Sequence, residues 1–262
     1  MPVDLGFHWS MLNDYDRNAA YRAAIRRTVP DRIVYDLGAG VGPMSYYALT
    51  AGARRVYGFE IDRDALPYLR RLATEFPSFT VCHADVVRAA LPRDAPEVVI
   101  CEMWSAWLTD WPMVKALARV RKRAPHAHII PARGHHLIQL VRARHRAGVP
   151  LRVTPGTEAP VINESPATLD VSLPALACVS DFRSEIRPVD ATVMLTPLVT
   201  GMVDAVRLFS YEEVWPGCLL PRMGTRGDEL LRWITPTRVR EGRRVRLRVQ
   251  YAWGKAPLLW LE

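Results

Sequence analysis

This sequence predicts an α/β architecture: a doubly wound, mostly parallel sheet followed by a smaller antiparallel β domain. Three observations carry that reading. From Arg32 to about Ala143, short apolar runs ("RIVYDL", "RVYGFE", "FTVCHA", "EVVICE", "HIIPA", "LIQLVRA") alternate with helical patterns, the rhythm of parallel βαβ units. The stretch "YDLGAGVGPMS" (Tyr35 to Ser45) sets glycines between the first run and the next helical pattern, where such sheets meet their ligands. After about Val149 the character changes. Pro150, Pro155, Pro160 and Pro166 punctuate a linker-like stretch, and alternating segments without glycine-rich turns follow, as in an antiparallel sheet. The expected organisation is an N-terminal helical segment over 1–30, a ligand-binding α/β domain over 31–149 and a β-rich domain over 150–262.

Taken in order, Asp14 to about Arg27 reads as a helix with Ala and Ile at helical spacing. Arg32 to Tyr35 is a short apolar strand, and Pro43 to Thr50 begins a helix, so Gly38, Gly40 and Gly42 form the turn between them. Missing side chains there let backbone approach a ligand. The dinucleotide fingerprint G-x-G-x-x-G would require a third glycine at position 43, which is Pro43. A carboxylate, Asp36, stands directly ahead of the turn and suits a ligand with a cationic end. Glu60 closes the next strand, where a carboxylate can take both hydroxyls of a ribose. Ribose without diphosphate, together with a cationic amino-acid end, describes S-adenosyl-L-methionine.

The 262 residues allow one large domain or two modest ones. The longest apolar run is far too short to span a bilayer, and "MPVDLGFHWS" lacks a basic region followed by an apolar stretch. A cytoplasmic protein without membrane partners is the expectation. Four scattered cysteines (Cys82, Cys101, Cys178, Cys218) with no C-x-x-C spacing fit reduced thiols. The histidine pairs His126/His128 and His135/His136 lack a carboxylate at ligand spacing, so no metal is expected. The formal charge of +8 rests almost wholly on arginine, with only three lysines. In "RVREGRRVRLR", Val245, Leu247 and Val249 alternate with Arg244, Arg246 and Arg248, a half-buried strand with a charged outer face. Nucleic acid is therefore not expected as a partner.

The first 145 residues resemble the protein arginine methyltransferases, a group within the class I, Rossmann-like methyltransferases. "HWSMLNDYDRNAAYRAAI" (His8 to Ile25) is similar to that family's N-terminal pattern H-x-x-M-L-x-D-x-x-R-x-x-x-Y. "DLGAGVGPMSYYALTAGARRVYGFE", "VVICEMWSAWLTD" (Val98 to Asp110) and "HIIPARGHHLIQLV" match three further motifs in order. The resemblance implies that Arg17 holds the methionine carboxylate near Asp36, with His8 and Met11 folded over the cofactor as a lid. It implies that Gly38 and Gly40 admit the ligand, that Glu60 grips the ribose, and that Asp85 and Val86 meet adenine. Glu102 then stands where the family has its first catalytic glutamate. A carboxylate there can orient a guanidinium, whose planar fork matches carboxylate geometry.

Three departures accompany the resemblance. The family's second glutamate should fall at Trp111, and the nearest carboxylate, Asp110, is one residue early. The family's Thr-His-Trp loop appears as Glu213-Val214-Trp215, with Glu212 ahead of it. Too little chain lies between Pro131 and Trp215 for a long helical dimerisation arm. The expected activity is N-methylation of a guanidino or amino group on arginine or a related small molecule or peptide. The candidate catalytic residues are Glu102, Asp110, Glu212, Glu213 and Trp215, and the acceptor is expected to be cationic. Methylation of oxygen or carbon, a cyclisation that consumes the cofactor, and a non-catalytic binding role are the alternatives. Trp104, Trp107 and Trp111 could wall a cation or fill a core.

Overall fold

The computed structural model describes residues 5–108, 112–144, 154–160, 167–221, 229–255 and 257–262. Two helices lead. A short α1 (Leu5–Leu12) precedes α2 (Tyr15–Thr28), where the Asp14 carboxylate caps the helix by accepting the Arg17 backbone N–H at 3.0 Å. Tyr21, Ala24, Ile25 and Thr28 recur at helical spacing and are all buried, so one face of α2 seals a core.

The parallel sheet follows. Its strands are β1 (Ile33–Leu37), β2 (Arg55–Glu60), β3 (Phe79–His83), β4 (Val98–Cys101) and β5 (His128–Ile130). They lie in the order β3-β2-β1-β4-β5, every neighbouring pair parallel. Helices α3 (Pro43–Thr50), α4 (Leu66–Glu75) and α5 (Pro112–Arg123) make crossovers. One face of the sheet packs on residues of α2, α3 and α4, the other on Met113, Ala116, Leu117 and Val120 of α5. The chain reverses its direction of travel across the sheet between β1 and β4, so the carboxyl ends of these strands open a crevice.

The second half is antiparallel. Strand β6 (Arg133–Arg144) is followed by β7 (Glu158–Pro160), β8 (Ala167–Asp170), β9 (Ala175–Asp181) and β10 (Val189–Leu195). The long β11 (Gly201–Trp215), β12 (Cys218–Pro221), β13 (Glu229–Val239), β14 (Val245–Tyr251) and β15 (Leu258–Leu261) complete it. One sheet runs β7-β13-β11-β6-β8, with β12 on β11 and β9 on β6; a second runs β10-β14-β15. The fold is thus the expected α/β sheet plus antiparallel β domain. In β14, Leu247, Val249 and Tyr251 are buried while Arg246 and Gln250 are exposed, as the alternation predicted. Among the described residues from 132 to 215 there is no helix.

One strand changes sides. The run "LIQLVRA", read with the α/β half, lies in β6, which pairs with β11 and β9 of the antiparallel sheet. The changeover between sheets therefore falls between Ile130 and Arg133, ahead of 149. Ile138, Gln139, Leu140 and Val141 are consecutive and all buried. A strand covered on both faces carries no alternation, so its pattern matches that of a parallel strand.

Packing is tight where sheet and helix meet. A Cβ at Gly58 would stand 2.8 Å from the Phe79 ring and 3.2 Å from Ser45 Oγ. Gly58→Ala is expected to cost about 1–3 kcal/mol, the range for overpacking a core. Urea denaturation tests this; an unchanged midpoint would refute the packing account.

Candidate active site

The carboxyl ends of β1, β2, β3 and β4 bring Asp36, the glycine turn, Glu60, Asp85 and Glu102 to one edge of the sheet. Glu60 is held by backbone. Its Oε2 accepts the Gly40 N–H at 2.7 Å, and Oε1 accepts those of Ile61 and Asp62, each at 2.8 Å. A carboxylate has about four acceptor positions, so three are engaged and the orientation is locked. The Gly38 and Ala39 N–H groups both donate to the Phe59 carbonyl, at 3.0 and 2.8 Å, which ties the turn to the end of β2.

The turn is close-packed from two sides. Gly40 has φ +54, and a Cβ there would come within 2.8 Å of the His8 ring. Helix α1 therefore lies over the glycine turn through His8. Gly38 has φ +75, and a Cβ there would stand 2.5 Å from Met103 Cγ; the space freed at Gly38 is filled by Met103. Such backbone is strained for any residue with a side chain.

Asp36 is buried and accepts the Ser45 hydroxyl at 2.6 Å. Burial pushes its pKa up to about 7 against the pull of Ser45, with Glu60 and Glu102 adding to the rise. Asp85 accepts the Val87 N–H at 2.9 Å and stands 3.6 Å from Arg88. Val86 is buried, its side chain packed among residues of the α5-side core.

A chain of buried polar groups runs from the sheet to the β domain. Arg17 grips Glu102 with two prongs, Nε to Oε1 at 3.0 Å and Nη2 to Oε2 at 2.6 Å. Its Nη1 donates to the Asn18 side-chain carbonyl at 3.2 Å and to the Met11 carbonyl at 3.4 Å. The guanidinium lies 5.5 Å from the centroid of the Tyr21 ring, and the Tyr21 hydroxyl donates to Glu212 Oε2 at 3.1 Å. Burial lowers the Arg17 pKa, but the Glu102 charge outweighs it and the net shift is upward.

The two adjacent glutamates of β11 part company. Glu212 is fully buried on the side of Tyr21. Glu213, on the opposite side of the strand, takes His135 Nε2 at 2.8 Å, the Gly217 N–H at 3.2 Å and Arg133 Nη1 at 3.4 Å. Burial alone would raise its pKa, but His135, Gly217 and Arg133 together hold it below the usual carboxylate range. Trp215 packs against the core beneath α2 and α3. The structure thus links Glu212 to Arg17 and Glu102 through Tyr21, turns Glu213 to His135 and Arg133, and packs Trp215 in the core that also holds Tyr21. Asp110 and Trp111 lie outside the described residues. Of the other loop tryptophans, Trp107 is fully buried in the β-domain core and Trp104 is partly buried.

Sequence reading gave no role to Tyr21, Ser45, His136 or Ser210. Tyr21 stood in the quoted N-terminal pattern and could have been found there. Ser45 meets Asp36 only nine residues back, across the glycine turn; His136 and Ser210 carry no local signal, because they meet across 74 positions.

A parallel five-stranded sheet with a strand-to-helix glycine turn, a locked acid ending β2 and an antiparallel domain is a methyltransferase-type architecture. A chain of the Trypanosoma brucei PRMT1 enzyme–prozyme heterotetrameric complex with AdoHcy superposes with a TM-score of 0.74, covering 94% of this chain and 87% of that one at 17% identity. In sequence, an uncharacterised protein of Methanocaldococcus jannaschii is 32% identical over 144 residues, 53% of this chain and 55% of that protein. Probable histone-arginine methyltransferase 1.3 of Arabidopsis thaliana is 34% identical over 134 residues, 48% of this chain and 25% of the relative. Protein arginine N-methyltransferase 1 of Dictyostelium discoideum is 28% identical over 134 residues, 48% of this chain and 39% of the relative. The matches therefore span about half of the first relative and smaller parts of the other two. No protein-family model matches the chain. The chain is arginine-methyltransferase-like, in sequence over its first half and in fold over nearly its full length.

The buried acid gives a measurable signature. A carboxyl whose pKa is raised on folding binds its proton more tightly in the native state, so its contribution to stability falls as pH rises from about 4 to about 7. Relative to Asp36→Asn, the wild-type protein should lose up to about 1.4 kcal/mol per pH unit across that window. Denaturation curves that run parallel for the two proteins would refute the assignment.

Proposed function

We propose that this chain is an S-adenosylmethionine-dependent methyltransferase that modifies a guanidino nitrogen of arginine or a related small molecule or peptide. One observation carries the acceptor assignment: Glu102 holds a guanidinium, that of Arg17, in a two-pronged pair, with the buried Glu212 one side chain further on through Tyr21. A carboxylate so placed that it takes a guanidinium fork supports a guanidino acceptor. The cofactor assignment rests on the likeness to arginine methyltransferases and on the fit of the residues. Glu60 is pre-oriented by three backbone N–H groups, Gly40 lies beneath His8, and Asp36 offers a carboxyl to a cationic end.

When bound, S-adenosylmethionine supplies an electrophilic methyl group on sulfur. The chain's own work is alignment and charge placement. Glu60 fixes the position of the ribose. Arg17 pairs with Glu102 in this structure, and on cofactor binding it would give over one of its donors to the methionine carboxylate. Glu102, freed at one oxygen when Arg17 turns to the cofactor, would orient the acceptor guanidinium, draw positive charge away from the attacking nitrogen and accept the proton that this nitrogen must lose as it gains the methyl group. Holding the reactants in line supplies much of the rate. Glu212, supplied by the β domain, acts as the second carboxylate. His8 and Met11, on α1, cover the cofactor and exclude water.

Mass spectrometry of S-adenosylmethionine incubated with the protein and a panel of guanidino and amino compounds tests it. A methyl gain on a guanidino acceptor supports the proposal. A gain on oxygen or carbon, or a fragmented cofactor without transfer, would replace it. Glu60→Ala should weaken S-adenosylhomocysteine binding by about 1.5–3 kcal/mol, the scale of hydrogen bonds to a charged group; wild-type affinity by calorimetry would remove the ribose assignment. Glu102→Gln should lose roughly 10²–10⁴ in turnover while keeping that affinity. Glu212→Gln should cost more turnover than Glu213→Gln, and the reverse order would exchange their roles.

A further inference from the structure

The loop that follows Glu102 is held in an unusual conformation. Trp107 and Leu108 have φ of 54° and 50°, values that non-glycine residues rarely adopt and that persist only when the surroundings enforce them. Leu108 is buried in the parallel-sheet core, whereas the surroundings of Trp107 come from the β domain. The Trp107 backbone N–H donates to Ser210 Oγ at 3.2 Å, and its indole N–H donates to the Leu137 carbonyl at 2.9 Å. The Tyr251 hydroxyl donates to the Trp107 carbonyl.

Behind Ser210 stands His136, fully buried. Its Nδ1 lies 2.9 Å from Ser210 Oγ and its Nε2 lies 2.9 Å from Ser180 Oγ. The imidazole is stacked on Trp104 at 6.2 Å and 10°, and tilted against Trp107 at 5.7 Å. Both tryptophans belong to the loop that Glu102 begins. Gly134 makes room: a Cβ there would meet Trp104 Cη2 at 2.7 Å and His136 Nε2 at 3.1 Å. Burial, with His135 adding to it, pushes the His136 pKa down to about 3, so the ring is neutral at any pH where the protein works. Either neutral tautomer satisfies both serines, because a hydroxyl donates and accepts.

We propose that Ser210 and His136 form a clamp from the β domain that positions the Glu102 loop for catalysis, His136 acting as the wedge between Trp104 and Trp107. This rests on the reading of Glu102 as the residue that orients the acceptor. Both are positioning residues: they touch the loop and reach Glu102 through it. The clamp also gives the β domain a part in the reaction beyond supplying Glu212, because the hydrogen bonds of Trp107 go to Ser210, Leu137 and Tyr251 of that domain.

Ser210→Ala tests the clamp, with Ser172→Ala as the comparison. Ser172 is an equally buried β-domain serine whose hydroxyl serves Leu140 and Leu173, far in bonding terms from the loop. Amide hydrogen exchange at residues 103–108 should accelerate about five- to tenfold in Ser210→Ala, the effect of one lost hydrogen bond. Turnover with free arginine or a short arginine-containing peptide should fall about 10–100-fold, as expected for a misplaced reacting group. S-adenosylhomocysteine affinity should stay unchanged, and Ser172→Ala should leave exchange and turnover at wild-type values. His136→Phe, which keeps the ring and loses both hydrogen bonds, should follow Ser210→Ala. Equal loop exchange in the two serine variants, or undiminished turnover in Ser210→Ala, would overturn the clamp. Wild-type behaviour in His136→Phe would remove the histidine from it. If the wild-type protein methylates neither acceptor, the functional reading fails, and the exchange comparison still decides whether the clamp exists.

Discussion

Removing a guanidinium from water is costly unless a carboxylate comes with it, and Arg17 and Glu102 are such a pair. Each is nearly inaccessible to solvent, with side chains 4% and 9% exposed. Breaking a buried pair by deleting one partner typically costs about 3–5 kcal/mol, because the other charge is left behind. The pair therefore constrains everything around it. Helix α2 must lie against the end of β4, α1 must lie over the glycine turn, and Tyr21 must face β11. The N-terminal helices and the end of β4 meet at one guanidinium, and β11 joins them through Tyr21.

From that constraint the site acquires its electrostatic character. Three buried carboxyls, Asp36, Glu60 and Glu212, and the nearly buried Glu102 share this region with the buried Arg17. They are managed by different means. Glu60 is neutralised by backbone dipoles, Glu102 by Arg17, and Asp36 by a pKa near neutrality. Glu212 receives a tyrosine hydroxyl. Such a region favours cationic ligands, in keeping with both a sulfonium cofactor bearing an ammonium group and a guanidinium acceptor. Glu213, one residue along, is withdrawn from the site by His135 and Arg133, which shows how sharply strand alternation divides adjacent identical residues.

Much of this was legible in the chain. The βαβ rhythm, the glycine turn, Asp36 and Glu60 are encoded by local pattern and fixed spacing, and each appears at the strand end where the pattern put it. Arg17 was legible only through resemblance, and its partner in the structure is Glu102. Strand β6 was misassigned because a strand buried on both faces carries no periodicity. The choice between Glu212 and Glu213 was also invisible, since it depends on which face of a bulged fifteen-residue strand meets α2.

By itself the sequence determined the architecture, the strand-end edge with its glycine turn and the acids that line it, because these follow from hydrophobic period, turn chemistry and short-range spacing. Only the tertiary structure decided which acids share a guanidinium, which glutamate of β11 faces the site and what holds Trp107 at positive φ. Tyr21 meets Glu212 across 191 positions, and Trp107 meets Ser210 across 103. Contacts at such separations leave no trace in local pattern. They are set by how two sheets and a helix pack, which is a property of the assembled chain.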